Sequence, residues 1–313
     1  MANSTNSAVA GQVLANMADK DNRIHVLTAD IANSNGTIAF AERHPDRFYN
    51  LGIAEQNMVS VAAGLATTGA IPYVGTFASF ISLLCCEQVR TDLAYTNLPV
   101  RLLASHAGIS FGYYGTSHHA TEDIGVMRSI ANLTIISPAD AHSLEQALQQ
   151  TVDLEGPIYF RLGRGRDPEI YMAEDNWEFG KVSVLRTGSD ATILATGIMT
   201  AAAVEASKIL SEQGLNITVV DVHTIKPLDE ENVLRLLEEA PHIFVAEEHN
   251  THSGLSSIIA DLMVDEGLSG KRLNRIGFPS DEYALIAAPY HLYRHYGLDA
   301  QGVADRVLST LSS

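Results

Sequence analysis

Apolar runs of strand length, each handing over to a stretch of helical pattern, recur from one end of the sequence to the other. This alternation limits the folds open to the chain. The runs IHVLTAD (24–30), AIPYVGTF (70–77), PVRLLASHAG (99–108), NLTIISPAD (132–140) and GPIYFRLGRG (156–165) are continuously apolar at their centres rather than alternating. A strand apolar on both sides is buried on both faces, and helical segments between such strands make the sheet mainly parallel. ASFISLLCCEQVRTDLAYT reads as one helix, and so does AHSLEQALQQTV, with Asp140 placed to cap it. RFYNLGI reads as a short buried strand, followed after Glu55 by the small, apolar helix NMVSVAAGLATTG, which stops at Gly69.

The pattern breaks at RGRDPEIYMAEDNWEFG, a polar, proline-containing stretch, and then restarts. ATILATG, NITVVDVHTIKP, HIFVAEEH and KRLNRIGFP read as strands, and the stretch before Gly214, LDEENVLRLLEEA and GLSSIIADLMVDEG as helices. The acidic residues opening LDEENVLRLLEEA suit the positive end of a helix. The expected architecture is therefore α/β, with two doubly wound, mainly parallel-sheet domains. Residues 1–165 form the first, 166–180 a linker and 181–313 the second.

At 313 residues the chain has ample length for two cores. A net charge of −17 disfavours nucleic acid and anionic membranes as partners, though not a small anion held at a locally basic site. No apolar run approaches the ~20 residues of a membrane span. MANSTNSAVAGQVLANMADK has neither the basic start nor the apolar stretch of an export signal, so the expected compartment is the cytoplasm. Cys85 and Cys86 are adjacent and make no disulfide framework. The spacing of the histidines, acids and cysteines offers no metal site in this chain.

Ligands of open α/β sheets collect at the carboxyl ends of the strands. Gathered there are Asp30, Ser34, Glu55, Phe77, Phe80, His106, the loop 110–123, Arg161 and Arg164. Phe77 and Phe80, at i and i+3, are expected on one helical face. An acid, an aromatic platform, imidazoles and a guanidinium make a coherent set for holding an aromatic cofactor and an anionic substrate. Each member also has a bland reading. Glu55 could complement a helix dipole, the phenylalanines could be core, DIANSN could be a polar turn and the arginines a solvated strand end.

FYNLGIAEQNMVSVAAGLATTGAIPYVGTFASF resembles the pyrimidine-binding domain of thiamine-diphosphate enzymes of the transketolase group. The likeness continues through HTIKPLDEENV and FVAEEHNTHSGLSS, so that the chain is similar to the C-terminal subunit of split, two-subunit transketolases. GIAEQ followed at this distance by TFASF is the specific part of the signal. The resemblance implies that Glu55 hydrogen-bonds a ring nitrogen of the cofactor's aminopyrimidine and is catalytic, and that Phe77 and Phe80 pack on that ring. It places Asp30 near the cofactor and Ser34 near the anionic end of the substrate. His106 falls on a position that binds the sugar's terminal phosphate, and His118 on one beside the reacting carbonyl and hydroxyls. Arg164 matches an anion-binding arginine, whereas Arg161 is expected in a structural ion pair.

The sequence departs from the family pattern at Leu83, where a further aromatic is usual, and at Tyr113–Tyr114, which replace an acidic pair. The GDG…N motif that holds the metal and diphosphate in the family is missing from this sequence. The resemblance therefore implies an N-terminal partner subunit that supplies the site for thiamine diphosphate and Mg²⁺ (or Ca²⁺). It also implies a heterotetramer built on a dimer of this chain. The implied activity is transfer of a two-carbon ketol unit from a phosphorylated ketose to an aldose. Alternatives on the same scaffold are a split transketolase devoted to a sulfosugar or branched sugar phosphate, half of a deoxyxylulose-phosphate synthase, and the beta subunit of a 2-oxo acid dehydrogenase. A non-catalytic assembly subunit is the reading from another class.

Overall fold

In a computed structural model of the chain, the described residues are 6–164, 168–172 and 175–312. Of the expected linker, residues 166, 167, 173 and 174 lie outside them, as do residues 1–5, 165 and 313 of the two expected domains. The strands are β1 (Ile24–Thr28), β2 (Phe48–Asn50), β3 (Ile71–Phe77), β4 (Arg101–Ser105), β5 (Thr134–Ile136), β6 (Ile158–Arg161), β7 (Ser183–Arg186), β8 (Ala191–Ala195), β9 (Ile217–Asp221), β10 (Thr224–Lys226), β11 (Ile243–Asn250) and β12 (Leu273–Phe278). They form a seven-stranded sheet in the order β10-β5-β6-β4-β3-β1-β2 and a five-stranded sheet in the order β12-β11-β8-β9-β7. Both are parallel except at one edge, where β10 meets β5 and β7 meets β9 antiparallel. The two doubly wound α/β sheets of the sequence reading are present.

The period of two along each strand explains the continuous apolar runs. On β4, Leu102 and Ala104 enter one core layer and Leu103 the other. On β8, Ile193 and Ala195 face one layer and Leu194 the opposite one. Helix Glu55–Ala66 covers one face of the first sheet, and helices Asn6–Ala18 and Ala141–Gln150 cover the other. Asp140 caps Ala141–Gln150 as expected, accepting from Ser143 N at 2.8 Å within a reciprocal capping box.

Several expectations are corrected. NITVVDVHTIKP is not one strand but two, β9 in the second sheet and β10 in the first, so a short piece of the C-terminal half completes the N-terminal sheet. RFYNLGI yields only β2, an edge strand that is half-buried to exposed, because nothing pairs with its outer side. The helix after Phe77 is broken into π-turns at Phe80–Leu84 and Val89–Ala94 around a single α-turn. Phe77 and Phe80 consequently do not share a helical face, since Phe77 is the last residue of β3 and Phe80 opens the first π-turn. The stretch read as a polar linker buries Tyr171 and Trp177 in the core beside β1 and β6. Arg101 lies at the start of β4, fully buried, and donates to the carbonyls of Gly156, Thr151, Val152 and Leu154, which fixes the turn before β6 at the end of the sheet opposite the site.

Candidate active site

Because β1, β3, β4 and β6 are parallel neighbours, their carboxyl ends line one edge of the first sheet, with Phe77 in register with Ser105 and Ala104 with Arg161. The chain leaves β4 through His106, whose φ of +60° turns the backbone sharply into the loop that follows. Phe77 therefore meets His106, ring centroids 4.6 Å apart and edge-on, and lies 5.5 Å from Phe80. The loop folds back over both. His118 approaches Phe80 at 5.3 Å and Phe77 at 5.8 Å.

At the centre stands Phe111, a residue that sequence reasoning did not single out. Its ring lies 5.0 Å from Phe77, 4.5 Å from His106 and 4.3 Å from Tyr114, and it stacks on His118 at 5.2 Å with the planes 9° apart. The Arg164 guanidinium sits over the same ring, 5.2 Å from its centroid, a cation–π contact that brings a positive charge to the rim of the cluster. The one available signal was compositional, a phenylalanine inside an otherwise Gly- and Tyr-rich loop, and it carries no periodicity.

Both imidazoles in this cluster are electrically neutral near pH 7. Burial pushes His106 down to about 3, assisted by the charge of Arg164 and by that of His118 when protonated, and burial also lowers His118. Nδ1 of His106 bonds the Ser105 hydroxyl at 3.1 Å, and Nδ1 of His118 bonds the Ser117 hydroxyl at 2.9 Å. With each Nδ1 engaged, Nε2 is the nitrogen left for a ligand. His119 belongs elsewhere. It is buried and its Nε2 bonds the Gly112 carbonyl at 3.3 Å, pinning the loop from within.

Glu55 opens helix Glu55–Ala66 and is 7% exposed. Among the described residues no group hydrogen-bonds its carboxylate, whose oxygens keep some access to solvent although the residue is buried. It stands against the turn that begins at Phe80. Gln56 next to it donates to the Leu84 carbonyl at 3.1 Å, and burial, helped by the Glu55 charge, pushes the Cys85 thiol up to about 12. The carboxylate thus faces the aromatic turn with its acceptor capacity unused.

Asp30 and Ser34 are placed on the same sheet edge, but neither contacts the aromatic cluster. Asp30, at φ +64°, pairs reciprocally with Asn50 at the end of β2, donating from N and accepting at Oδ1, each bond 3.0 Å. Ser34 is exposed, and its amide bonds the Ile31 carbonyl at 2.9 Å. Arg161 makes the expected ion pair. Its Nε donates to Asp123 Oδ2 at 2.8 Å, with both side chains buried. Among the described residues there is no group of three or more His, Cys, Asp or Glu side chains that could hold a metal ion.

Comparison with known proteins settles the family. Residues 3–168 match the model for the transketolase pyrimidine-binding domain and residues 180–303 that for the transketolase C-terminal domain. A putative transketolase C-terminal section of Methanocaldococcus jannaschii is 37% identical over 304 residues, covering 96% of this chain and 94% of the relative. The chain belongs to the transketolase family. A 6-deoxy-6-sulfo-D-fructose transketolase subunit of Clostridium sp. is 37% identical over 93% of this chain and 89% of its own length. A solved structure described as a split-gene transketolase, inactive beta4 tetramer, superposes with a TM-score of 0.87 at 36% identity over 98% of both chains. By contrast, a 1-deoxy-D-xylulose-5-phosphate synthase of Geobacter sulfurreducens is 35% identical over 98% of this chain but only 49% of its own length.

The transketolase family is thiamine-diphosphate dependent, and the residues present fit the aminopyrimidine end of that cofactor. A buried carboxylate with no protein partner offers an acceptor for a ring nitrogen. Phe80, on the turn that Glu55 stands against, and Phe77, 5.5 Å from Phe80, supply apolar aromatic surface. As in other transketolases the chemistry is that of a transferase.

Proposed function

We propose that this chain is the C-terminal subunit of a split transketolase, and that with an N-terminal partner subunit it transfers a two-carbon ketol unit from a ketose to an aldose. The observation that carries this reading is the buried Glu55 carboxylate, without a protein hydrogen bond, facing the turn of Phe80. Thiamine diphosphate, when bound, supplies the electron sink that allows the carbon–carbon bond beside a ketose carbonyl to be cleaved. The chain's own residues bind, orient and exclude. Glu55 holds a proton at the aminopyrimidine ring nitrogen. Phe77 and Phe80 give that ring an apolar seat and keep water from it. His106 and His118, both neutral, offer Nε2 to the substrate's hydroxyls and carbonyl, and His118 is the one suited to moving a proton there. Arg164 meets the anionic group of the substrate, with Ser34 at the same edge, and Asp30 orders the loop nearest the cofactor.

In this reading residues 1–165 are the pyrimidine-binding domain, 166–180 the connection and 181–313 the C-terminal domain. The partner holds the diphosphate and Mg²⁺ (or Ca²⁺), two copies of each chain form the assembly, and the compartment is the cytoplasm. The sequence supports the division of labour because it lacks GDG…N.

One observation favours a specialised donor. Tyr114, packed 4.3 Å from Phe111 and 5.0 Å from His118, makes the wall beside His118 aromatic and uncharged. Such a wall suits a ketose whose hydroxyl pattern differs from that of an ordinary pentose phosphate. Relatives of this chain include subunits named for a sulfosugar and, in Actinobacillus succinogenes at 34% identity, for apulose 4-phosphate.

The test is to recover the tagged chain with its partners from native cells and assay the complex with thiamine diphosphate and Mg²⁺ on a donor panel. The panel contains xylulose 5-phosphate, a sulfosugar ketose, a branched ketose phosphate and pyruvate. Ketose-dependent two-carbon transfer by a complex whose second subunit bears GDG…N supports the proposal and names the donor. Decarboxylation of pyruvate moves the chain to the synthase or dehydrogenase reading, and ketol transfer by the chain alone removes the need for a partner.

A further inference from the structure

The reading above gives the second domain no task, yet the polar stretch 247–250 on β11, buried but for the half-buried Asn250, reaches toward the first domain. Glu247 turns inward to its own fold, accepting from Leu255 N at 2.6 Å, Ser256 N at 2.9 Å and the Ser256 hydroxyl at the start of helix Leu255–Asp265. The next residues alternate outward and grip the loop that carries Phe111 and His118.

That loop is closed at its neck by a two-hydrogen-bond bridge. Gly108 N donates to the Ala120 carbonyl at 3.1 Å, and Ala120 N to the Gly108 carbonyl at 2.8 Å. One side of the neck is held by Glu248, whose Oε1 accepts from Ile109 N at 2.8 Å and from the Tyr293 hydroxyl at 2.5 Å. Gly108 has φ +62°, and a Cβ there would stand 2.1 Å from Glu248 Cδ, so glycine is what admits the carboxylate. The other side is held by Asn250, whose N and Nδ2 donate to the Thr121 carbonyl at 2.8 and 3.0 Å. Between them, His249 Nε2 accepts from Gly125 N at 3.4 Å, and Arg161 Nη2 ties the Glu248 carbonyl (2.8 Å) to that of Ala120 (3.4 Å).

Within the neck the loop is ordered by short-range bonds of its own, among them Gly112 N to the Ile109 carbonyl at 3.0 Å and His118 N to the Gly115 carbonyl at 2.9 Å, and these fix its internal shape but not where it sits on the sheet edge. Gly112 and Gly115 both have positive φ, and each lies against the second domain, where a Cβ would meet the Ala287 carbonyl at 2.5 Å and Ile286 at 3.0 Å. The groups assigned to the cofactor are on other elements: Glu55 on its helix, Phe77 at the end of β3 and Phe80 on the following turn. The clasp therefore acts directly on the substrate-facing loop and reaches Phe77 and Phe80 only through the rings of Phe111 and His118.

We propose that Glu248 and Asn250 are positioning residues that hold the neck of the 108–120 loop and thereby set where Phe111, Tyr114 and His118 meet the substrate. The second domain is then part of the machinery that reads the substrate. The role assigned to the loop rests on the transketolase reading, whereas the clasp itself does not.

The test compares Glu248→Ala, Glu248→Gln and, as a control, Glu205→Ala on the exposed Lys208 pair of helix Ile198–Ser211. Hydrogen exchange of the full chain is read first. In Glu248→Ala, amides 109–120 exchange about tenfold faster while those of β3 and β8 stay within about twofold of the parent. Glu248→Gln keeps an acceptor oxygen and stays within about threefold. In the reconstituted complex, Glu248→Ala raises the KM for the ketose donor about tenfold and leaves half-saturation by thiamine diphosphate within about twofold. Unchanged loop exchange in Glu248→Ala overturns the proposal. So does acceleration of β3 and β8 in step with the loop, which marks Glu248 as a general stabiliser of the fold, and so does a loss of cofactor affinity equal to the rise in KM. If even the parent complex lacks ketol transfer, the functional reading fails, and the exchange measurement still decides whether the clasp exists.

Discussion

Glu55 shows how a single residue separates two accounts of the same sequence. If it merely complements the helix dipole, Glu55→Gln costs about 0.3–1 kcal/mol of stability and leaves activity in place. If it serves a cofactor, its carboxylate makes no hydrogen bond among the described residues that the amide would lose. The expected outcome for Glu55→Gln is therefore unfolding at an unchanged urea concentration, together with a fall of about a hundredfold or more in kcat of the reconstituted complex. Asp221 gives a second prediction at this scale. It is fully buried between the Tyr171 and Thr200 hydroxyls, at 2.7 and 3.0 Å, and burial pushes its carboxyl up to about 7. A carboxyl raised in this way lends stability below its unfolded pKa of about 4, which is lost as pH rises through about 7. His106 and His223, both pushed down to about 3 by burial, act in the opposite sense, their stability full above about 6.5 and lost as pH falls toward about 3. Between about pH 4.5 and 6 the three groups leave a net slope of one proton, about 1.4 kcal/mol per pH unit, with the chain more stable at the higher pH. Asp221→Asn removes the opposing proton, and urea denaturation across that range should steepen by about the same amount.

At the scale of elements, the segment joining the two domains is better buried than its composition implies. Trp177 is 2% exposed, packs in the core of the first sheet and lies 4.3 Å from the His223 ring, which follows β9. Trp177→Ala should cost about 3–5 kcal/mol in urea denaturation, the loss expected for a core aromatic. A solvated linker residue would cost under about 0.5 kcal/mol. The broken helix after β3 and the division of NITVVDVHTIKP between two sheets share a cause with this burial. Local pattern reports how apolar a stretch is and with what period, but not which sheet edge is open to receive it. β10 is three residues long and joins the first sheet because the far side of β5 is free there.

For the whole molecule, the site assembled on the first sheet offers a carboxylate, an aromatic cluster, two neutral imidazoles and a guanidinium, and among the described residues no metal-binding group. Purified alone and supplied with thiamine diphosphate and Mg²⁺, the chain should show no ketol transfer in a coupled spectrophotometric assay. Activity should appear on titration with the partner subunit and saturate at one partner per chain. Turnover without the partner would contradict the division of the site between two polypeptides. Among the described residues no helix is long and apolar enough to cross a membrane.

The sequence by itself determined the two mainly parallel α/β sheets and the strand-to-helix junction that carries Glu55, and it set Phe77, Phe80, His106, His118 and Arg164 at or beyond the carboxyl ends of strands. Each of these is written locally, as hydropathy of one period or as a residue at the carboxyl end of a strand. Only the tertiary structure decided that Phe111 is the hub of the site, that Asp30 faces Asn50 rather than the aromatic cluster, and that the connecting segment is core. It alone showed that Glu248 reaches the amide of Ile109 across 139 residues of sequence. A buried carboxylate on an apolar strand has no period that names its partner. Its partner is fixed by where two domains pack, a long-range property that local pattern does not encode.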